Sequence, residues 1–244
     1  MTPEAVEALS GIFKTCQGSA LILEIGAADG TDTLDMFTLA KSFGHTPSIH
    51  AFEPDPRNSV LYRKRLWMVR TDFNTCAVSD HDGTQPMWFS DGKHPNHSDG
   101  WSFSNTLKQP TGHYKRYPWV TFNDPKSTLV DTITLDTYYK KWLAQHVVDM
   151  IWADVNGAER EMIAGARGTL QRTRYLLTEF ARGQQLFEGQ VTMWDLARLL
   201  PDWEPEVIFE NDILLKNINY QPGGRFFGIQ SFDDYSAAWD GDSR

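Results

Sequence analysis

The chain has 244 residues, of which 41% are hydrophobic and 13% aromatic, so we expect one domain spanning residues 1–244 with a sizeable core. Its net charge of −9 gives no overall attraction to nucleic acid or anionic lipid, so neither a nucleic acid nor a membrane is an expected partner; a small molecule or a carbohydrate is the expected substrate. Two distant cysteines, no apolar run long enough to span a membrane and no signal-peptide layout favour a cytoplasmic location.

The first elements of the chain alternate between helix and strand. Residues 1–17 predict an N-terminal helix. The apolar run Leu21–Ile25 predicts a buried strand, Gly26 a tight turn, and the apolar spacing from Thr31 onward a second helix. This is the opening unit of a doubly wound α/β sheet, and such sheets bind ligands beyond the carboxyl ends of their strands. The alternative is a glycine turn that serves packing alone.

The glycine turn differs from the dinucleotide-binding fingerprint, which requires the spacing G-x-G-x-x-G. Here three other residues separate Gly26 from Gly30, so no glycine pair is available to cradle a pyrophosphate. The pattern favours a nucleoside ligand without a diphosphate, and S-adenosylmethionine is the obvious candidate. The candidate cofactor-binding residues of this stretch are Glu24, Gly26, Ala27, Ala28, Asp29 and Gly30.

Two further strands carry polar residues at their ends. Ser48–Glu53 predicts the strand beside the first one, and the carboxylate of Glu53 can accept both hydroxyl hydrogens of a ribose; the alternative is a solvent-exposed strand end. Phe73–Ser79 predicts a third strand. Ser79 and Asp80 would then lie at the same edge, where an adenine amino group could be bound, although they also fit a plain turn.

Residues 86–130 interrupt the alternation. Met87–Phe89 predicts a short strand, but the rest is rich in glycine, proline, asparagine and aromatic residues. Loops this long are usually functional or disordered, and disordered segments are poor in aromatics, so we expect a lid or substrate wall that could face a sugar ring. The alternative is a satellite core. His94 and His97 lack a third ligand at a known metal-binding spacing, so no metal site is expected there. The aromatic residues are Trp101, Phe103, Tyr114, Tyr117 and Trp119.

Downstream of this segment the alternation of helices and strands resumes. A sheet of seven mostly parallel strands that closes with an antiparallel hairpin, with helices on both faces, is typical of the Rossmann-like class I methyltransferases. Residues 218–244 form a tail without a predicted structure. The predicted elements are a helix reaching Leu143, a central strand Val147–Val155, a helix from Glu159 carrying Met162, Ile163, Ala166 and Leu170 on one face, a strand Tyr175–Phe180, a helix Met193–Leu200, and a hairpin of Glu206–Phe209 and Asp212–Leu215.

Five short motifs follow one another along the chain. They are Glu24-Ile-Gly-Ala-Ala-Asp-Gly30, Ala51-Phe-Glu-Pro-Asp-Pro56, Thr134-Leu-Asp136, Asp154-Val-Asn-Gly-Ala-Glu159 followed by Gly165-Ala166, and Thr178-Glu179. In this order and spacing, the sequence from Leu21 to Leu215 resembles the FkbM-type S-adenosylmethionine-dependent methyltransferases. The resemblance implies O-methylation of a hydroxyl on a sugar, a polyketide or a related metabolite. The family usually has Glu where this chain has Asn156, which leaves room for an altered substrate.

The candidate catalytic residues follow from the chemistry of methyl transfer. The acceptor oxygen must be held in line with the methyl group, and a base helps because a hydroxyl is a weak nucleophile. Asp154, at a strand end, is expected under the sulfonium as the leading catalytic residue and a cofactor contact. Glu179, one strand over, is expected to support it, and His113 is an alternative base because of its ordinary histidine pKa. A divalent ion between the two acids is compatible with the sequence but not required by it.

Two other interpretations stay open. One is an NAD(P)-binding enzyme on the same general fold, against which the missing third glycine and the closing hairpin argue. The other is a non-catalytic scaffold that binds S-adenosylmethionine, motivated by Asn156 and the acidic tail. The sequence predicts neither the methyl acceptor nor the oligomeric state.

Overall fold

The structure, a computed structural model, describes residues 1–16, 18–94, 100–143 and 146–220. His97 and most of the predicted tail lie outside these ranges. The strands are β1 (Leu21–Ile25), β2 (Ser48–Phe52), β3 (Asp72–Asn74), β4 (Ala77–Val78), β5 (Gly83–Pro86), β6 (Ser90–Gly92), β7 (Val120–Phe122), β8 (Leu129–Ile133), β9 (Val148–Ala153), β10 (Thr173–Glu179), β11 (Trp203–Phe209) and β12 (Asp212–Asn217). The helices are α1 (Pro3–Thr15), α2 (Thr31–Ser42), α3 (Pro56–Arg65), α4 (His113–Arg116), α5 (Leu135–Tyr138), α6 (Glu159–Ala164), α7 (Arg167–Leu170) and α8 (Met193–Leu199), with a 3-10 turn at Pro125–Ser127 and a π-helical turn at Tyr139–Leu143.

A seven-stranded sheet organises the chain, in the order β11-β12-β10-β9-β1-β2-β3. Strands β3, β2, β1, β9 and β10 run parallel, whereas β12 is antiparallel to β10 and β11 is antiparallel to β12. The chain fills the β1-β2-β3 half first and then crosses to β9 on the other side of β1. The carboxyl ends of β1 and β9 therefore form the topological switch point, where open α/β sheets bind ligands. The predicted Rossmann-like architecture with its closing hairpin is confirmed.

Strand β1 is buried along its whole length because helices cover both faces of the sheet. Its alternate side chains enter two separate cores. Leu23 and Ile25 pack with residues of β9, β10 and α6, while Ile22 packs with α2 and with Phe13 of α1. The continuous apolar run that predicted this strand is thus the consequence of two cores that meet at one strand.

Capping residues set the helix boundaries that position the site. Asp55 accepts a hydrogen bond from the backbone N–H of Arg57 (2.8 Å) at the start of α3, and Pro56 occupies the first turn. Thr192 and Asp195 form a reciprocal capping box at the start of α8. None of the helices in the described ranges is long and apolar enough to cross a membrane.

The predicted third strand, Phe73–Ser79, is divided in the structure. Its first part is β3, the edge of the large sheet, where the side chain of Asn74 donates to the carbonyls of Ala51 and Asp72 (3.2 and 3.0 Å). The chain then leaves the sheet, and β4 joins a second sheet of order β4-β8-β5. Because no strand of the described residues lies beyond β3, no strand pairing from them holds the rest of the apolar run in the large sheet.

Two other predicted elements differ from the structure. The strand expected at Met87–Phe89 is absent; β5 and β6 lie on either side of it, and Trp88 forms only an isolated bridge with Thr106. The long helix expected from Glu159 is broken into α6 and α7 at Gly165, where an added Cβ would lie 2.1 Å from the carbonyl oxygen of Ser79. The break lets the β4–β5 connection pass under the helices.

Candidate active site

A cavity of about 380 Å³ opens at the carboxyl ends of β1, β2 and β9, at the switch point of the sheet. We call it the sheet-edge cavity. The turn Gly26–Asp29, the acids Glu24 and Glu53, and Asp154 with Asn156 line it from the sheet side. This volume lies in the range of small-molecule sites. The structure therefore brings together the acids predicted at the ends of the first, second and central strands.

Gly26 is required by the neighbouring strand. Its φ of +87° suits glycine, and a Cβ built there would lie 1.9 Å from the carbonyl oxygen of Asp154. The backbone N–H groups of Gly26 and Ala27 both donate to the carbonyl of Phe52 (2.9 and 3.0 Å). Gly26 was expected to let the backbone pass close to a ligand, but in the structure it lies close to the backbone of Asp154. Its contacts with Phe52 and Asp154 join the ends of β1, β2 and β9 at one point.

Glu53 is buried at the end of β2 and fixes the turn. Its two carboxylate oxygens accept hydrogen bonds from the backbone N–H groups of Ala28 (2.9 Å) and Asp55 (2.7 Å). Burial raises the pKa of this carboxyl to about 7, against the opposing effect of those two hydrogen bonds. The orientation of the carboxylate is therefore set before any ligand binds, and each oxygen keeps a further acceptor position.

Two more acids of the turn region are tied to α2. Glu24 is buried and accepts a hydrogen bond from the hydroxyl of Thr33 (2.5 Å), while burial raises the pKa of its carboxyl to about 8. Asp29 accepts from the backbone N–H of Thr31 (3.1 Å) and pairs with Arg65 (2.7 Å). Asp29 thus occupies part of the helix N-terminus. Gly30, the left-handed N-cap of α2, supports the turn from behind against Tyr62.

Asp154 follows β9 and faces the sheet-edge cavity. Its backbone N–H donates to the carbonyl of Ile25 (2.9 Å), which places it beside the end of β1. The pKa of its carboxyl is raised to about 7, chiefly by desolvation in the sheet-edge cavity and further by the negative charges of Asp212 and Asp32. A cation bound beside this carboxyl would stabilise its ionised form and lower the pKa again.

Ser79 and Asp80, predicted to reach adenine, do not line the sheet-edge cavity. The backbone of Ser79 packs against Gly165 instead, and the carboxylate of Asp80 lies on the imidazole of His81 (2.7 Å). Strand β3 ends at Asn74, so the chain has left the large sheet before it reaches Ser79 and Asp80. The residues of this segment that line the cavity are Cys76, Ala77 and Val78.

Segment 86–130 is called the insert, and its described residues form the opposite wall of the sheet-edge cavity. Asn105 accepts from the backbone N–H of Ser90 (2.8 Å) and donates to the carboxylate of Asp55 (2.8 Å). Asn58 donates to the carbonyl of Ser102 (3.1 Å) and accepts from its hydroxyl (2.6 Å). Sequence reasoning missed these contacts, because a buried asparagine in a loop gives no periodic signal.

A second cavity, of about 270 Å³, lies between the insert and the segment after β10. We call it the aromatic cavity, since Trp101, Tyr117, Trp119 and Phe187 line it. Backbone hydrogen bonds from Gly112 and His113 to the carbonyl of Leu186 (3.0 and 3.1 Å) join the two segments. The sequence analysis did not single out residues 186–190. The available signal was Phe187, which lies between Gly183 and Gly189 in the segment that follows the strand ending in Glu179.

Glu179 and His113 both line the aromatic cavity. The pKa of Glu179 is raised well above its usual value by burial and by Asp154, Glu159 and Asp212. Burial lowers the pKa of His113 to about 4, below the ordinary histidine value on which its prediction as an alternative base depends. Its ring packs among other aromatic rings and its Nδ1 has no hydrogen-bond partner in the described part of the chain. Histidine at this position is a neutral wall residue at physiological pH.

Asn156 is the residue that lines both cavities. It has a φ of +50°, a conformation that asparagine adopts more readily than most residues. Its carbonyl accepts from the hydroxyl of Thr106 (2.7 Å) and its side-chain amide donates to the carbonyl of Phe103 (3.3 Å). The residue that departs from the family pattern therefore connects the insert to the sheet at the boundary between the cavities.

The described residues contain no group of three or more histidine, cysteine, aspartate or glutamate side chains placed to hold a metal ion. Asp154 and Glu179, the pair considered for a divalent ion, line different cavities. The sheet-edge cavity fits a nucleoside with a cationic centre instead. It offers a buried carboxylate at the end of β2 and another acid, Asp154, which is exposed to the open cavity and whose pKa is raised by desolvation and by the negative charges of Asp212 and Asp32.

Comparisons with known proteins agree with this geometry. The sequence profile of the methyltransferase FkbM domain matches residues 24–208, which is most of the chain. The chain belongs to the FkbM methyltransferase family. A relative named 2-O-methyltransferase NoeI, from Sinorhizobium fredii (strain NBRC 101917 / NGR234), is 34% identical over 206 residues, covering 81% of this chain and 79% of that protein.

Two solved structures illustrate the more distant likenesses. A putative rRNA-methylase from Clostridium thermocellum has a TM-score of 0.49 at 10% identity, covering 89% of this chain and 97% of that one. A precorrin-6y C5,15-methyltransferase from Geobacter metallireducens GS-15 has a TM-score of 0.42 at 10% identity, covering 88% and 87%. Family membership confirms the predicted S-adenosylmethionine-dependent O-methyltransferase and argues against the NAD(P)-dependent alternative.

Proposed function

We propose that this methyltransferase transfers a methyl group to a hydroxyl of an uncharged saccharide held in the aromatic cavity. The observation that carries the proposal is the arrangement of that cavity. Aromatic rings and one acid, Glu179, line it, and Asn156, among the described residues, lines both this cavity and the sheet-edge cavity. Flat aromatic faces pack against the apolar faces of sugar rings, while a carboxylate can bind a hydroxyl. The relative named for 2-O-methylation supports an oxygen acceptor.

The sheet-edge cavity would hold S-adenosylmethionine, which supplies a methyl group activated by a sulfonium. Glu53 is oriented by two backbone hydrogen bonds to accept from the ribose hydroxyls. Cys76, Ala77 and Val78 offer an apolar wall for adenine in place of Ser79 and Asp80. The backbone turn Gly26–Asp29 lies between these two contacts. Asp154 lines the same cavity and would stabilise the positive charge of the bound donor.

Glu179 is the acid best placed to take the hydroxyl proton of the acceptor, because it lines the aromatic cavity whereas Asp154 lines the sheet-edge cavity. As the acceptor oxygen bonds to the methyl carbon, the bond from sulfur to that carbon breaks and its electron pair stays on sulfur. The released proton passes to the carboxylate of Glu179, whose raised pKa makes that carboxylate a stronger base than an ordinary glutamate. Asp154, first expected to lead catalysis, then contributes mainly by stabilising the positive charge of the bound S-adenosylmethionine.

The charges around the aromatic cavity favour a neutral acceptor over an anionic one. Among the described residues that line this cavity, none is a lysine or arginine. Asp154, Glu159 and Asp212 add negative charge around Glu179. A carboxylate or phosphate on the sugar would meet repulsion from this cluster with no cation to offset it.

The test is a methylation assay with matched acceptors. A panel of neutral glycosides and the corresponding uronic acids is incubated with S-adenosylmethionine, and formation of S-adenosylhomocysteine and the position of the new methyl are measured. We expect O-methylated neutral sugars and little reaction with the acids. A preference for anionic sugars would contradict the proposed acceptor. Donor binding without turnover on any hydroxylated acceptor would favour the scaffold alternative. The cytoplasmic location stays a prediction.

A further inference from the structure

The most exposed large hydrophobic side chains lie together on one helix and the turn that follows it. Among the described residues, Trp67 is 78% exposed, Met68 77% and Val60 67%, and Leu61 beside them is 44% exposed. Val60 and Leu61 lie seven residues, about two helical turns, before Trp67 and Met68, so the four share one side of α3 and the turn that follows it. We call this surface the α3 face.

The core does not need these side chains. The opposite side of α3 supplies its packing: Tyr62 and Leu66 are buried, and the ring of Tyr62 stacks on Phe73 with 4.0 Å between the centroids. A helix that is already anchored by one side and still carries a contiguous apolar surface on the other marks an interaction site.

Basic residues surround the α3 face although the whole chain has a charge of −9. Residues 56–71 contain Arg57, Arg63, Lys64, Arg65 and Arg70 and no acid. Arg57 and Arg65 pair with Asp55 and Asp29, and the guanidinium of Arg63 lies 5.0 Å from the centroid of the Phe73 ring. The side chains of Lys64 and Arg70 form no hydrogen bond or ion pair with the described part of the chain. They remain available to an external negative charge.

We propose that the α3 face binds the surface of an anionic lipid bilayer. Trp67 and Met68 follow the end of α3 with 78% and 77% of their surface exposed, which leaves both side chains free to enter a flat interface. Tryptophan favours the boundary between lipid headgroups and acyl chains, and lysine and arginine are attracted to anionic headgroups. The occupant therefore needs a negative surface that admits apolar side chains, which an anionic bilayer provides.

The location of the α3 face connects it to the donor site. Arg65 pairs with Asp29, a residue of the turn that lines the sheet-edge cavity, and Tyr62 packs behind Gly30 in the same turn. A chain held by the α3 face would keep this cavity near the bilayer, within reach of hydroxyls presented there. This inference does not depend on the identity of the acceptor.

Vesicle co-sedimentation tests the proposal with the full chain. The probes are vesicles of phosphatidylcholine alone and vesicles that also contain phosphatidylglycerol. We expect binding to the anionic vesicles, release by added salt, and little binding to phosphatidylcholine alone. The double variant Trp67→Ala/Met68→Ala should lower the partition coefficient about tenfold or more, because two inserted side chains are lost. The double variant Lys64→Glu/Arg70→Glu should lose most of the binding to anionic vesicles that depends on charge.

The matched control is Trp194→Ala, which removes an exposed tryptophan (52%) of α8. It should leave vesicle binding unchanged, and all variants should keep the thermal unfolding midpoint and S-adenosylhomocysteine affinity of the parent. Absence of binding to anionic vesicles would overturn the proposal, as would equal losses in the Trp194 and Trp67/Met68 variants. Self-association through Trp67 without vesicle binding would replace the bilayer by a second copy of the chain.

Discussion

The two walls of the sheet-edge cavity are built by different means. On the sheet side, backbone hydrogen bonds join the ends of three parallel strands, and Gly26 approaches the carbonyl of Asp154 so closely that no side chain fits. On the insert side, buried side chains join the insert to α3: Asn105 contacts Asp55, the N-cap of this helix, and Asn58 of the helix contacts Ser102. The sheet wall follows from fold topology, whereas the insert wall depends on individual side chains. Each can be disturbed separately.

The largest expected effect comes from Gly26→Ala on the sheet wall. The new Cβ would lie 1.9 Å from the Asp154 carbonyl oxygen at a φ of +87°, so β1 and β9 must move apart. We expect a loss of stability of about 3 kcal/mol or more and loss of donor binding. Urea unfolding and titration with S-adenosylhomocysteine measure both.

Gly44→Ala is the matched control for Gly26→Ala. Gly44 has a similar φ of +83°, but nothing lies within 4 Å of its added Cβ. Only the backbone strain, about 1 kcal/mol, should appear, with donor affinity unchanged. Equal effects of the two substitutions would show that the close approach to Asp154 is unimportant.

The next largest effect is expected from substitutions that test the separate roles of Glu179 and Asp154 in the two cavities. Glu179→Gln should lower kcat about 100-fold or more with donor affinity unchanged, because the base of the aromatic cavity is removed. Asp154→Asn should lower turnover as well, but together with weaker binding of S-adenosylmethionine. Steady-state kinetics with both substrates separates these patterns. Near-normal turnover in Asp154→Asn would remove that residue from the mechanism.

What could be predicted from the sequence follows the same division. The position of Glu53 and Asp154 at one cavity could be predicted because parallel strands place their carboxyl ends at one edge, a rule that depends only on recognising the strands. Ser79 and Asp80 were misplaced because an apolar run does not reveal where an edge strand leaves its sheet. Asn105 carries no pattern at all, since its partners are 15 and 50 residues away in the chain.

Charge shows a related limit. A net charge of −9 predicted no lipid partner, yet residues 56–71 carry only basic charges. The average over the chain conceals this segment, and the exposure of Trp67 and Met68 became visible only in the fold.

Asn105→Ala tests the insert wall with a smaller expected effect. It leaves the buried N–H of Ser90 unpaired and removes the contact with Asp55, so we expect a loss of about 2 kcal/mol in stability and weaker S-adenosylhomocysteine binding. Asn123→Ala is the control, because its hydrogen bonds to Phe89 and Thr128 stay within the insert. If both variants weaken ligand binding equally, the connection of the insert to the sheet does not shape the cavity.

The smallest expected effect is a pH dependence that belongs to the sheet wall. The pKa of Asp154 is raised to about 7 without ligand, so its carboxyl is largely protonated at pH 6 and ionised at pH 8. A sulfonium cation favours the ionised form and lowers that pKa, so binding releases a proton below pH 7 and affinity for S-adenosylmethionine rises between pH 6 and 8. S-adenosylhomocysteine lacks the cation, so its affinity should change less.

Calorimetry in buffers of different ionisation enthalpy, repeated from pH 6 to 8, measures both ligands and the released proton. The preference for S-adenosylmethionine over S-adenosylhomocysteine should grow by up to about tenfold across this range, since one pKa unit corresponds to a tenfold change. Asp154→Asn should abolish the growth, whereas Asn105→Ala should keep it, because the insert-side residues Ser102, Asn105 and Thr106 carry no titratable group. If the pH dependence persists in Asp154→Asn, the proton comes from Glu24 or Glu53, whose pKa values are also raised, and the cation is not held by Asp154.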